Sequence, residues 1–282
     1  FRRLEFSSSP EIYDNSLQAW FKDMTNYDLS LMHFLFGAGA EMANELGIKT
    51  EAAHWNKLKS QLPDFDLDNE GSLTFAKGFP YNASHRHFSH ALAIHPLGII
   101  DWSDGEKAQR IIRATLKKMN DYGPDYWTGY TYSWFANMQA RAFNGEEAAK
   151  ALRTFAECFC LKNTFHANGD QSASGKSKFT YRPFTLEGNF AFAAGIHEML
   201  LQSHTGVIRV FPAVPESWKN VSFNNLRAMG GFLVSAALKD GKVVRLEIYA
   251  EKGGRLAVFS PFEHKVVEYD TQPGSRIDLA VE

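Results

Sequence analysis

The stretch Leu200-Leu-Gln-Ser-His-Thr-Gly-Val-Ile-Arg-Val-Phe-Pro212 marks a change in the spacing of apolar residues along the chain. Before Gly206 apolar residues recur every three or four positions, as in amphipathic helices. After Gly206 they alternate with polar residues, as in half-buried strands. Asp240-Gly241 lies between two of the alternating runs and is a strong hairpin signal. This order predicts a helical segment followed by an antiparallel β domain.

The proposed boundary divides the chain into a helical domain at 1–205 and a β domain at 206–282. About seven segments of the first part have helical periodicity. They cover residues 29–46, 50–62, 86–94, 103–119, 130–143, 146–161 and 188–203. The polar connection 163–183 has no helical pattern, and a loop of that length indicates a functional or mobile element.

Composition excludes several classes of protein. The 282 residues carry a net charge of −2, which gives no long-range attraction to nucleic acid. No apolar run approaches the ~20 residues of a membrane span. Cys158 and Cys160 lie two positions apart in a helix-like stretch, so we expect no disulfide between them. The first residues, Phe-Arg-Arg-Leu-Glu-Phe, lack a Met and resemble an interior cut, so we expect a processed or truncated chain.

The densest polar cluster lies between Asn82 and His95 and holds four of the ten histidines. No carboxylate falls between Tyr81 and Ile100, so we predict no metal site. We expect His85, Arg86 and His87 at a helix N-terminus, where imidazoles and a guanidinium bind vicinal hydroxyls. His90 and His95 are expected to be core residues.

Glu187 lies just before the helix predicted at 188–203. Backbone N–H groups and the helix dipole stabilise a carboxylate there, so Glu187 is either a structural residue at the helix start or an ionised functional group. Tyr130 and Trp134 lie four apart on one helix face, and either core packing or sugar stacking explains them. Phosphate-loop, Rossmann and serine-hydrolase patterns are absent, and we predict no cofactor.

Several motifs occur in an order that resembles glycoside hydrolase family 95. They are Ser-Pro-Glu11, His-Arg-His-Phe-Ser-His90, Tyr-Ser-Trp134, Leu-Glu-Gly-Asn-Phe190, Phe-Pro-Ala-Val-Pro-Glu-Ser-Trp218 and Leu-Arg-Ala-Met-Gly-Gly-Phe232. The resemblance implies part of an (α/α)6 barrel followed by a β-sandwich. It also implies an inverting α-L-fucosidase or α-L-galactosidase acting on glycans, in the periplasm or outside the cell.

Matched by position, Glu11 falls on the family's general acid and Glu187 on its general base, which is an Asp in the family. The extra methylene of Glu187 moves the carboxylate by ~1.5 Å. Contacts with Ile12 and Tyr13 are expected to raise the pKa of Glu11. The predicted substrate-binding residues are His85, Arg86, His87, Trp134 and Asn189.

The family's water-activating Asn residues lie upstream of Ser-Pro-Glu, in a segment that this sequence does not contain. Seven helices are also too few to close an (α/α)6 barrel. We therefore expect either a missing N-terminal segment or a second chain, or else a partial barrel with an exposed apolar face. The alternative function is that of a catalytically silent carbohydrate-binding remnant.

Overall fold

The computed structural model describes residues 4–279 and divides into two compact units. One comprises Phe1–Thr131 with Ala167–Pro183, and the other Tyr132–His166 with Phe184–Glu282. The long connection predicted at 163–183 is therefore shared between the two units.

The first unit is built around the long helices α1 (Asn26–Glu45) and α3 (Glu106–Tyr122) and the shorter helix α2 (Lys49–Lys59). Its strands are β1 (Ser7–Ser8), β2 (Trp20–Phe21), β3 (Thr74–Ala76) and β4 (Phe79–Pro80). The Thr25 side chain caps α1 by accepting from the Asp28 N–H, and Gly47 follows the helix end with φ +71°. The buried side chains Leu29, Phe36, Leu58 and Leu62 hold α1 and α2 together.

Helix α1 also has apolar side chains that the first unit leaves exposed. They are Leu31, Phe34, Leu35 and Met42, which are between 37% and 60% exposed. Leu31 lies one turn before Phe34 and Leu35, and Met42 lies two turns after Leu35, so the four side chains share one side of the helix.

The helix predicted at 86–94 is wrong. The structure has a short 3-10 turn at Ser89–Ala91 and irregular backbone before it. Side chains replace helical carbonyls as partners of the backbone here, because the His85 N–H donates to the Tyr81 hydroxyl and the His87 N–H to His85 Nδ1. The expected helix N-terminus at His85, Arg86 and His87 is therefore absent.

The second unit contains three α-helices. They are α4 (Gly129–Arg141, whose first turn belongs to the first unit), α5 (Gly145–Thr154) and α6 (Glu187–Leu200). A π-helical turn at Phe155–Phe159 continues α5. Arg141 of α4 makes two hydrogen bonds to the Glu198 carboxylate of α6, of 2.6 and 2.8 Å, and its side chain is 6% exposed.

Eight strands follow α6 in the second unit. They are β5 (Leu201–Gln202), β6 (Val207–Val210), β7 (Val221–Ala228), β8 (Phe232–Lys239), β9 (Lys242–Ala250), β10 (Gly254–Ser260), β11 (Lys265–Thr271) and β12 (Arg276–Leu279). They form two four-stranded sheets, in the orders β11-β10-β6-β5 and β12-β9-β8-β7. Every pairing is antiparallel except β6 with β10, which is parallel.

Alternation places side chains of both sheets in one hydrophobic core. It includes Val234 and Ile248 from one sheet and Leu256 and Val258 from the other, each at most 1% exposed. Asp240 and Gly241 join β8 to β9 with φ values of +50° and +78°, as in a type I′ hairpin. The predicted change from helices to antiparallel sheets is therefore confirmed.

Among residues 4–279, none of the helices combines the length and the apolar character that a membrane crossing needs.

Replacing Arg141 with Met is expected to lower the free energy of unfolding by about 3–5 kcal/mol, because it leaves the Glu198 carboxylate largely buried without its countercharge. The double variant Arg141→Met/Glu198→Leu should recover most of that loss. Urea unfolding of the two variants measures the difference. Equal destabilisation by both would show that the ion pair does not set the cost.

Candidate functional site

The segment from Tyr81 to His90 is held by backbone groups of the α3–α4 connection and by a hydroxyl in the first turn of α4. The Ser84 hydroxyl donates to the Gly123 carbonyl at 2.8 Å and accepts from the Tyr126 N–H at 3.0 Å. The Thr131 hydroxyl donates to the Arg86 carbonyl at 2.8 Å. These bonds fix the backbone that carries His85, Arg86 and His87.

Glu11 is brought to this segment from 75 residues earlier in the chain. Its carboxylate pairs with the Arg86 guanidinium and lies 2.9 Å from His87 Nε2. His85 Nε2 lies 3.3 Å from the Glu11 carbonyl oxygen. Two buried hydroxyls, of Ser9 and Ser89, are 2.5 Å apart beside this contact. The motifs Ser-Pro-Glu and His-Arg-His thus form one charged cluster.

The pairing changes the acid–base expectation for Glu11. Burial acts to raise its pKa, but the charges of His87 and Arg86 and their hydrogen bonds outweigh burial, so the pKa is lowered. The predicted rise in the pKa of Glu11 is therefore wrong for this arrangement. The prediction considered only Ile12 and Tyr13, which are neighbours in sequence, and the decisive groups come from a distant segment.

The charged cluster opens into a pocket of about 230 Å³ in the first unit. Its lining residues are Glu11, Tyr13, Asp14, Ser84, His85, Arg86, Tyr126 and Phe179. The rings of Tyr126 and Phe179 meet edge-to-face with centroids 5.7 Å apart. The Arg86 guanidinium lies 5.8 Å from the Phe179 ring centroid. The pocket therefore combines ionic groups with an aromatic wall, the combination that binds both hydroxyls and ring faces of a sugar.

The aromatic wall was not predicted from the sequence. Phe179 lies in the polar connection 163–183, where the spacing of apolar residues does not indicate which side chains face a pocket. The Lys178 N–H, next to Phe179, donates to the Asp125 carbonyl at 2.7 Å, and this bond holds the two segments together.

His90 is a core residue, as predicted. It is fully buried beside the rings of Phe75 and Tyr81, with centroids 4.8 and 5.0 Å away. Neither ring nitrogen has a hydrogen-bond partner within residues 4–279. Burial lowers the pKa of His90 to about 3, so the ring is neutral. His95 is only partly buried.

Glu187 and the other two predicted site residues belong to the second unit. Glu187 is exposed and is the first residue of α6. Asn189 accepts from the His166 N–H at 3.0 Å and donates to the Thr164 carbonyl at 2.9 Å, so its amide braces the preceding loop. Trp134 is 8% exposed, which favours core packing over sugar stacking. The substrate-binding roles of these two residues stay predictions.

Within the residues that the structure describes, no three His, Cys, Asp or Glu side chains are grouped to hold a metal ion.

Comparison with known families adds independent evidence. Residues 4–200 match the catalytic-domain model of glycosyl hydrolase family 95, and residues 202–278 match the model of the family's C-terminal domain. This chain belongs to glycoside hydrolase family 95.

Two curated relatives of this family 95 chain are fucosidases by name. One is "Alpha-L-fucosidase 2" of Arabidopsis thaliana, 31% identical over 232 residues, which are 80% of this chain and 27% of the relative. The other is "Probable alpha-fucosidase A" of Aspergillus niger, 23% identical over 247 residues, which are 83% of this chain and 28% of the relative. The chain thus spans about a quarter of the length of these relatives.

Replacing His90 with Phe is expected to make stability less sensitive to acid. The unfolded chain binds a proton at His90 below pH 6.5, whereas the folded chain does so only near pH 3, so acid favours unfolding between these values. Between pH 7.5 and 5 the variant should lose about 2 kcal/mol less unfolding free energy than the parent chain. Urea unfolding at both pH values measures this. The control is His54→Asn at an exposed position, and equal pH dependence in His90→Phe and the parent would contradict the assignment.

Proposed function

We propose that this chain provides part of the active site of an inverting exo-glycoside hydrolase of the α-L-fucosidase type. The enzyme would release terminal L-fucose, or the closely similar L-galactose, from glycans. The observation that carries the proposal is the cluster of Glu11, Arg86 and His87, in which Glu11 and Arg86 line an aromatic-walled pocket, in a chain of family 95.

In this proposal the first unit binds the terminal sugar. His85, Arg86 and His87 supply donors for vicinal hydroxyls, and the ring faces of Tyr126 and Phe179 supply an apolar surface for the sugar's C–H groups. The bonds from Ser84 and Thr131 hold these groups in place before the sugar arrives, which reduces the ordering cost of binding.

Glu11 is the proposed general acid, and it must be protonated to act as one. The contacts with Arg86 and His87 that lower its pKa use the same donors that the sugar hydroxyls would use. When sugar takes Arg86 and His87, Glu11 loses these contacts while its burial increases. Both changes raise the pKa of Glu11, so substrate binding would itself prepare the acid.

Glu187 is the proposed general base. Glu187 is exposed and is the first residue of α6, so water can reach its carboxylate. An inverting pair requires carboxyls about 6.5–9.5 Å apart with a water beside the base. We propose that Glu187 is the member of such a pair that activates the water.

Further parts of the proposal concern architecture. We propose that residues 1–205 belong to an (α/α)6 barrel and 206–282 to a β-sandwich, in a protein that acts in the periplasm or outside the cell. The exposed apolar side chains of α1 would be covered by further barrel helices, on the same or a second polypeptide. The relatives' greater length supports this.

The second candidate function is carbohydrate binding without turnover, which the charged and aromatic lining of the first unit's pocket is enough to support. Incubation with an aryl α-L-fucoside separates the two candidates. If the chain belongs to an active hydrolase, the aryl group is released. If the chain only binds carbohydrate, fucose binding is saturable and no aryl group is released.

Replacing Glu11 with Gln is expected to leave L-fucose affinity equal or up to ~3-fold higher, because Arg86 and His87 lose a competing partner, while hydrolysis falls by ~10² or more. Titration of the isotope-labelled chain with L-fucose measures affinity. Asp14→Asn, which changes the other pocket carboxylate, is the matched control and should change neither quantity by as much. A large loss of affinity in Glu11→Gln would show that Glu11 binds sugar rather than competing with it.

Replacing Glu187 with Gln should lower turnover by ~10² or more while fucose binding survives, because the amide cannot take a proton from water. Glu187→Asp restores the carboxylate with a shorter reach and should retain more activity than Glu187→Gln. Initial rates with an aryl α-L-fucoside measure both. Unchanged turnover in Glu187→Gln would leave Glu187 as a structural carboxylate at the helix start.

A further inference from the structure

His166 lies in the second unit, in the connection between the π-helical turn and α6. It is fully buried. Its backbone pairs with Cys160 across an isolated antiparallel bridge, and the Leu161 N–H donates to the Phe165 carbonyl at 2.8 Å beside it. The loop that carries His166 is therefore a closed hairpin.

The imidazole of His166 contacts Thr185, two positions before the start of α6. Nδ1 lies 2.7 Å from the Thr185 carbonyl oxygen and 2.8 Å from the Thr185 hydroxyl. A carbonyl can only accept, so the proton of the neutral ring is on Nδ1. The His166 backbone N–H donates to the Asn189 side chain at 3.0 Å. Thr185 and Asn189, which lie on either side of Glu187 in the sequence, thus both hydrogen-bond to His166.

Gly188 shows how closely the helix lies on this ring. A Cβ at that position would stand 2.3 Å from His166 Nδ1 and 2.7 Å from two ring carbons. No side chain fits there without displacement of the imidazole, and glycine permits the approach. Thr185, Gly188 and Asn189 all contact His166, and Glu187 lies between them in sequence.

The other ring nitrogen, Nε2, is buried and has no hydrogen-bond partner among the residues that the structure describes. A proton there would be unsatisfied, so the ring stays neutral. Burial lowers the pKa of His166, against the Thr185 carbonyl and the charge of Glu187, which both act to raise it. His166 is therefore a fixed neutral group that also senses the Glu187 carboxylate.

We propose that His166 is a positioning residue for Glu187, holding the first turn of α6 so that the Glu187 carboxylate keeps one orientation toward the attacking water. The inference rests on the proposed function, in which Glu187 is the general base. Misplacement of a catalytic base by about 1 Å lowers the rate by up to ~10²-fold. Loss of the contacts between His166 and the first turn of α6 should therefore lower kcat.

Two substitutions of His166 separate positioning from general packing. Asparagine places an amide nitrogen where Nδ1 stands and can keep the bond to Thr185, whereas glutamine places its amide where Nε2 stands and loses that bond. With an aryl α-L-fucoside, His166→Gln should lower kcat by ~10-fold or more with KM within ~3-fold, and His166→Asn should restore most of kcat. Equal losses in both variants, or a change confined to KM, would overturn the proposal.

A second measurement does not need turnover. Imidazole 15N shifts of the labelled chain should show the Nδ1–H form of His166. Glu187→Gln should lower the pKa of His166 further, because the raising charge is removed, whereas Glu157→Gln, at an exposed position on the π-helical turn, should leave it unchanged. An Nε2–H form, or no response to Glu187→Gln, would overturn the proposal.

The two measurements distinguish this inference from the proposed function. If Glu187→Gln abolishes turnover and the two His166 variants behave alike, the positioning inference alone fails. If Glu187→Gln leaves turnover unchanged, the proposed function fails and the inference fails with it. If no preparation shows turnover, the imidazole 15N shifts test the inference by themselves. An Nδ1–H form of His166, and a lower His166 pKa in Glu187→Gln, would support it.

Discussion

The ion pair of Glu11 with Arg86 and the contact of its carboxylate with His87 connect segments that are 75 residues apart in the chain, and they form one side of the first unit's pocket. Each of the three side chains is partly exposed, between 27% and 39%, so solvent screens their attraction and a ligand can replace a partner at modest cost. The backbone around Arg86 is instead fixed by neutral hydrogen bonds from Ser84 and Thr131. The pocket thus combines a rigid frame with exchangeable ionic contacts, an arrangement suited to a ligand that carries many hydroxyls and no charge.

The two proposed catalytic carboxylates have different surroundings. Glu11 is controlled by countercharges that a sugar can remove, so its pKa can change during a reaction cycle. Glu187 is exposed at the first residue of α6, where water can reach it. The neutral ring of His166 contacts Thr185, and Gly188 allows the first turn of the helix to approach that ring. The two carboxylates therefore differ in the groups around them, as a pair with opposite roles requires.

Local patterns predicted the regular elements well. The apolar periodicity of α1, the glycine at its end and the Asp240-Gly241 hairpin depend on near neighbours, and the structure agrees with each. The helix predicted at 86–94 is wrong because the Tyr81 and His85 side chains accept hydrogen bonds from the N–H groups of His85 and His87 at its start, and apolar periodicity does not reveal such bonds. The pKa of Glu11, the wall of Tyr126 and Phe179 and the support from His166 depend on contacts between distant segments. Only the family resemblance selected Glu11, since Ser-Pro-Glu alone has an ordinary structural interpretation.

The proposed function requires that a terminal α-L-fucoside is hydrolysed by a single displacement. The most direct measurement is proton NMR of the sugar first released from an aryl α-L-fucoside, recorded before mutarotation, with a preparation that contains this chain. An inverting pair releases β-L-fucose first, and the α anomer accumulates only later. First release of α-L-fucose would indicate a covalent intermediate and contradict the roles given to Glu11 and Glu187. Fucose binding without any release would instead identify the chain as a carbohydrate-binding remnant.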